Sequence, residues 1–247
     1  MPRLDNNSLE EYTLPTGNFG FSGERISNLG ATEYTLVHIC IDDSGSVVGF
    51  KAEMEKCLKE AIKACQLSPR ADYLMVRVTS FDQNLKEVHG FKLLSSTNLT
   101  DYDNMLHCGG MTSLYDASTN AVESTSAYGK SLLDNDLSVN GIVIVITDGA
   151  DNTSVATRNT VRDALQKAIT GEKLESLVSI LVGVNIQDAT VSSFLKTFKD
   201  EAGFTQYVEL DKADAKSLAK LADWVSKSIS AQSQALGTGG PSKSLSF

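Results

Sequence analysis

Positive charge is scarce in this sequence: 22 Lys and Arg stand against 31 Asp and Glu, for a formal net charge of −9. Such a surface repels phosphate backbones and anionic lipid, so neither nucleic acid nor membrane is expected as a partner. Paired cysteines are missing too. Cys40, Cys57, Cys65 and Cys108 are scattered without CxxC spacing, which argues for buried reduced thiols over a disulfide framework or zinc cluster. No run approaches the roughly 18 apolar residues of a membrane-spanning helix. The opening MPRLDNNSLEEYTLPTG has neither the positive start nor the apolar stretch of a signal peptide. A cytoplasmic, reducing location is the expectation. The remainder, 247 residues that are 41% hydrophobic and 21% charged, suffices for one large α/β domain or two small ones.

Three regions differ in pattern. Residues 1–33 form a polar N-terminal extension whose Gly17, Gly20 and Gly23 mimic a nucleotide loop. They precede the first convincing strand instead of following one, so a surface extension with turns is expected. Residues 34–231 alternate apolar runs with amphipathic stretches, the pattern of a parallel sheet covered by helices. YTLVHICI, ADYLMVRV, GIVIVI, LVSILVGV and TQYVEL read as its strands. LKEVHGFKLL alternates and is expected to pair antiparallel at an edge. Helices are expected after residue 46, from Ser113, and over 156–169, 188–200 and 211–231. The whole reads as α/β, a doubly wound, mostly parallel, Rossmann-like sheet with one antiparallel edge strand and helices on both faces. Residues 232–247, rich in Gly and Ser, are expected to be a flexible C-terminal tail.

Oxygen donors concentrate in three loops. Asp42-x-Ser44-x-Ser46 ends the first strand, Gly109-Gly110-Met111-Thr112 opens a helix, and Thr147-Asp148-Gly149 ends the most hydrophobic strand. In a doubly wound sheet Asp42 and Asp148 meet at the carboxyl edge. Two carboxylates with no Lys or Arg in their loops repel each other unless a cation sits between them. The accompanying hydroxyls are hard, neutral oxygen donors, suited to Mg²⁺ or Mn²⁺ and poorly suited to Zn²⁺. Two aspartates only balance the ion's charge, so an outer coordination position is expected to exchange water for a partner's carboxylate.

The D-x-S-x-S at the end of the first strand, the threonine in a Gly-Gly loop and the later T-D-G resemble the metal-ion-dependent adhesion site of the von Willebrand factor type A (VWA) family. The resemblance spans about residues 34–230, and all five positions match in order. It implies Mg²⁺ held directly by Ser44 and Ser46, with Thr112 joining when a ligand is bound and Asp42 and Asp148 acting directly or through water. Capped turns are the alternative, with Ser46 as the N-cap of a helix from Val47, but they leave Asp42, Thr112 and Asp148 unexplained. Asp43 is expected to face solvent or cap the helix, and Asp151 and Asn152 to shape their loop or cap the helix beginning near Val155, with the rim of the binding surface as the alternative.

A Mg²⁺-dependent phosphoryl-transfer enzyme is the rival class, because phosphatases of the haloacid dehalogenase type also place Asp after a first strand. Their second Asp corresponds to Ser44, which cannot serve as a general acid at neutral pH. There is no P-loop lysine. His38 and His89 lie in strands, and His107, beside the Gly-Gly loop, has no nucleophile or orienting acid assigned. The expectation is therefore a non-enzymatic interaction module that binds an Asp or Glu of a partner protein, with a scaffold holding a purely structural metal as a further alternative. Intracellular VWA proteins of this size that it resembles work beside AAA+ ATPases of the MoxR or chelatase kind or in stress-response complexes.

Overall fold

The computed structural model describes residues 9–14, 19–171, 173–240 and 245–247. Its strands are β1 (Leu9–Tyr12), β2 (Phe21–Glu24), β3 (Glu33–Asp42), β4 (Leu74–Phe81), β5 (Leu85–Leu93), β6 (Ser138–Thr147), β7 (Ser176–Val184) and β8 (Gln206–Leu210). The helices are α1 (Lys51–Gln66), α2 (Leu114–Leu133), α3 (Arg158–Thr170), α4 (Ala189–Ala202) and α5 (Ala215–Thr238). One sheet runs in the order β1-β2-β5-β4-β3-β6-β7-β8. Strands β4, β3, β6, β7 and β8 are mutually parallel, and β5 returns antiparallel to β4. This is the expected α/β architecture.

Strands β3 and β6 are buried along nearly their whole length because both of their faces are covered. Alternation decides which face each residue serves. Ile39 and Ile41 pack with α1 and α5, while Cys40 turns to the face covered by α2, α3 and α4. Helix α1 buries Met54, Cys57, Leu58, Ala61, Ile62 and Cys65 as one stripe, as the spacing predicts. All four cysteines are free. Burial pushes the Cys40, Cys57 and Cys65 thiols up to about 12, which makes them inert core residues. No helix among the described residues is long and apolar enough to cross a membrane.

Two expectations need correction. The edge position assigned to β5 is taken by residues from the stretch read as a polar surface extension. Strands β1 and β2 pair antiparallel, and β2 lies parallel to β5 through Gly23 and Phe91. Burial of Phe21 supplies the reason: it stacks on Tyr12 at 4.9 Å and meets Phe91 edge-on at 6.1 Å. Gly90 permits the approach, since a Cβ there would fall 2.1 Å from the Ser22 carbonyl oxygen. Gly17 lies outside the described residues.

The last helix is also longer than expected, reaching Thr238. Its final turns are held by polar contacts: Gln232 is 1% exposed, and its carbonyl accepts from Asn140 Nδ2 at 2.8 Å. The end of the stretch read as a flexible tail docks as well. The Leu245 carbonyl accepts from Gln206 Nε2 at 2.9 Å and Trp224 Nε1 at 3.1 Å, and Phe247 packs against the Trp224 ring.

Candidate metal centre

Parallel pairing in register, Ile41 beside Ile146, sets the carboxyl ends of β3 and β6 next to each other. From there β3 leads to α1 on one face and β6 to α3 on the other, which makes this the topological switch point of the sheet. Asp42, the last residue of β3, is fully buried. Its Oδ1 accepts from the Ser44 amide at 2.9 Å and its Oδ2 from Thr147 Oγ1 at 2.6 Å. Ser46 Oγ donates to Asp148 Oδ1 at 2.7 Å. With that proton committed, Ser46 Oγ accepts from Ser44 Oγ at 3.0 Å. Asp42, Ser44, Ser46 and Asp148 thus form one hydrogen-bonded neighbourhood. Ser46 does not cap a helix. The chain instead passes through a 3₁₀ turn, Gly45–Phe50, before α1.

Thr112 is brought to the same edge by its backbone. Its amide donates to Asn152 Oδ1 at 2.8 Å, and its carbonyl accepts from the Asn152 amide at 3.0 Å. Two residues earlier, the Gly110 carbonyl accepts from the Gly45 amide at 3.3 Å. Gly110 makes this turn at φ 76°, a left-handed conformation that glycine adopts without a Cβ penalty. The Gly-Gly loop is therefore clamped between the other two loops.

The electrostatics are unbalanced. Burial, offset in part by hydrogen bonds from Ser44 and Thr147 and reinforced by the charge on Asp148, pushes the Asp42 carboxyl up to about 6. Asp148 is raised for the same first reason, burial. The neighbouring cation, Lys86, is committed elsewhere, to Asp82 at 2.8 Å and Asp43 at 3.3 Å. No group of three or more His, Cys, Asp or Glu side chains among the described residues is placed to hold a metal. A cation here would rest on two carboxylates and hydroxyl oxygens. That donor set fits a hard, octahedral, partly hydrated ion such as Mg²⁺ or Mn²⁺.

Asp43 corrects the expectation of a solvent-facing side chain. It is fully buried, and its Oδ1 accepts from the amides of His107 and Cys108, the latter at 2.7 Å. It pins the start of the Gly-Gly loop to the end of β3. Its partners lie 64 and 65 residues away, so nothing local in DDSGS could have revealed the role. Asn152 does more than shape its own loop, because it holds Thr112 from both sides.

The N-terminus of α2 is capped from across the site. Asp151 Oδ1 and Ser154 Oγ accept from the Tyr115 amide, and Asp116 in return accepts from the amides of Val155 and Ala156. The Ser113 hydroxyl, the natural cap in sequence, donates to the Asp82 carbonyl.

The histidines are accounted for separately. His38 Nε2 lies 2.9 Å from Thr79 Oγ1 inside the sheet, and His89 Nε2 lies 2.8 Å from the Tyr102 hydroxyl. His107 is exposed beside the site and touches it through its backbone amide.

No family model matches the sequence, and no curated protein matches it. Solved structures do match in fold. The PilB minor pilin from Streptococcus sanguinis is 14% identical over 88% of this chain, with a TM-score of 0.59. A von Willebrand factor type A structure from Catenulispora acidiphila is 18% identical over 85% of the chain, with a TM-score of 0.56. Proximal thread matrix protein 1 from the mussel byssus, in a form with a zinc-occupied MIDAS motif, is 17% identical over 79%, with a TM-score of 0.57. The chain spans 66% of the pilin and 45% and 48% of the other two. At these identities the likeness is one of fold: a mostly parallel α/β sheet with flanking helices, of the kind seen in VWA structures.

Proposed function

We propose that this chain is a non-enzymatic protein-interaction module that captures an acidic side chain of a partner protein through Mg²⁺, or Mn²⁺, held by Asp42, Ser44, Ser46, Thr112 and Asp148. The observation that carries the reading is the pair Asp42 and Asp148, raised by burial at the switch point with only hydroxyl and amide donors on their carboxylates. A divalent ion would supply the missing positive charge and, at an outer position, a site where a foreign carboxylate replaces water. Ser46 keeps its proton on Asp148, so its oxygen stays a neutral donor and the ion's charge is not quenched. The VWA-like fold supports an interaction role, and the zinc-occupied MIDAS of the mussel protein supports a metal at this edge of such a sheet.

Phosphoryl transfer is less well supported. Ser44 occupies the place a general acid would need, and the side chains of His38 and His89 are engaged within the sheet. Four unpaired thiols fit a reducing, cytoplasmic setting. AAA+ ATPases and stress-response complexes are partner classes to screen first.

The test is affinity capture from the native source, with the protein intact, in Mg²⁺ and in EDTA. The expectation is a partner retained in Mg²⁺, released by EDTA and lost in Asp42→Ala and Thr112→Ala variants that stay folded. Recovery of the same partners in both conditions sinks the metal bridge.

A further inference from the structure

Each of the three loops at the candidate metal centre carries one large apolar side chain in solvent. Val48, two residues after Ser46, is 68% exposed; Met111, directly before Thr112, is 47% exposed; Val155, in the loop that begins at Asp148, is 94% exposed. They make up half of the large exposed hydrophobics among the described residues, the others being Phe19, Leu67 and Ile169. An exposed apolar residue alone is unremarked on a protein surface, whereas a cluster around one site marks an interaction face.

These side chains are held out by their surroundings. Val48 stands between buried Val47 and Phe50 in the 3₁₀ turn. Met111 lies between Gly110, at φ 76°, and buried Thr112. The Val155 amide is fixed to Asp116 Oδ2 at 3.0 Å. The loops themselves are tied together by the Gly45–Gly110, Ser46–Asp148 and Thr112–Asn152 hydrogen bonds. None of the three side chains is buried in the core, so their apolar character serves something outside the fold.

Charge selects the occupant. Segments 44–50, 107–113 and 147–155 contain no Lys or Arg, and their only acids are Asp148 and Asp151. Asp151 already serves the α2 N-terminus. A partner surface with several acids meets repulsion from a chain of net charge −9, and within these three segments one with basic flanks meets no carboxylate besides Asp148 and the already engaged Asp151. A single carboxylate among apolar neighbours meets neither obstacle.

We propose that the partner presents its Asp or Glu from a segment with large apolar side chains on both sides, seated on Val48, Met111 and Val155. The proposal rests on the metal-bridge reading above. The test measures binding of three synthetic peptides with a central Asp flanked by Leu, Ser or Lys, in Mg²⁺ and in EDTA, with Mg²⁺ affinity followed separately by calorimetry. The Leu-flanked peptide is expected to bind at least about tenfold tighter than the Ser-flanked one. A variant carrying Val48→Ser, Met111→Ser and Val155→Ser should lose that preference while its Mg²⁺ affinity stays within about twofold.

Equal binding of the Leu and Ser peptides, or a preference retained by the triple variant, overturns the proposal. A Leu preference that persists in EDTA and vanishes in the triple variant overturns the metal bridge and leaves the apolar face standing. Concentration-dependent dimers that the triple variant abolishes, with no peptide preference, assign the face to a second copy of the chain and overturn the peptide proposal.

Discussion

Ser46 Oγ donates to Asp148 Oδ1 at 2.7 Å across 102 residues of sequence. This contact joins the first loop of the site to the third. It also fixes the serine proton on a carboxylate, which leaves oxygen lone pairs for a cation. Parallel register between β3 and β6 makes the contact possible, since a one-residue slip would turn the strand ends to opposite faces.

The first prediction concerns the charge on Asp42. A fully buried carboxylate without a paired cation destabilises the metal-free fold. Asp42→Asn keeps the volume and an acceptor for the Ser44 amide, and its own amide can donate to Thr147. The melting temperature of the metal-free variant is therefore expected to equal or exceed that of the metal-free parent. For the parent, Mg²⁺ at about 100 times its Kd adds about 2.7 kcal/mol, and the variant should gain none of it. Thermal melts in Mg²⁺ and EDTA decide the point, and a Mg²⁺-dependent rise that survives the substitution counts against Asp42 as a ligand.

Asn152 gives a second prediction because it clamps Thr112 through one side-chain and one backbone hydrogen bond. Asn152→Ala removes only the side-chain bond, so the stability loss should be about 1 kcal/mol. The larger effect falls on the site: a group that orients a ligand from behind typically sets metal affinity by about tenfold or more. Calorimetric titration with Mg²⁺ should show weakened binding in a protein that still unfolds cooperatively. Unchanged affinity would show that the Gly-Gly loop holds its position without this clamp.

Much of the fold could be read along the chain because long, doubly covered strands such as β3 and β6 leave mostly apolar runs, and α1 leaves a single buried stripe. The residues that link the three loops were legible for a related reason. Carboxylates and hydroxyls at the ends of such strands stand out against their surroundings. Strand β1, LEEY, did not stand out, since four residues with two exposed glutamates carry no period and its pairing depends on aromatic contacts from elsewhere. Asp43 and Asn152 escaped because their partners are backbone amides of distant loops, and any residue type presents the same amide. The end of α5 was hidden by chemistry: Gln232 and Ser233 are buried yet read as solvent-facing in sequence.

A third prediction follows from the ion pair beneath that N-terminal strand pair. Arg77 is fully buried, and its Nε donates to Glu87 Oε2 at 2.6 Å while Nη1 reaches Asn120 and Ser124 at 3.0 and 2.9 Å. Glu87 Oε1 also accepts from Ser22 Oγ at 2.6 Å and from its amide at 3.1 Å. Glu87→Ala leaves a buried guanidinium without its counter-charge and β2 without its anchor. The Glu87 side chain is 25% exposed, so the loss should lie near the lower end of the range for broken buried pairs, about 3 kcal/mol. Urea unfolding measures it, and limited proteolysis should open β1 and β2 before the rest. Arg77→Met combined with Glu87→Leu should recover most of the stability, because the two charges then leave together.

Two histidines, His38 buried and His89 half-buried in β5, set the direction of the fourth prediction. Burial and the adjacent Arg77 hold His38 well below its ordinary value, and burial with the nearby Lys92 lowers His89 to about 3. The unfolded chain takes up these protons near pH 6.5, whereas the folded protein refuses them. Below about pH 6.5, and for His89 down to about pH 3, the unfolded state therefore binds more protons, and stability falls as pH falls, by about 1.4 kcal/mol per pH unit for His89, with His38 acting in the same direction. Above pH 7 the contribution is complete. Asp42, raised by burial, acts in the opposite sense in the metal-free protein, so the histidine part is best read as a difference between proteins. His89→Gln can keep a hydrogen bond to Tyr102 without a titrating ring, and urea unfolding from pH 7.5 to 5 should show a slope shallower by about one proton than in the parent. Parallel slopes for the two proteins would mean that His89 is protonated in the folded state, contrary to the lowered value its surroundings impose.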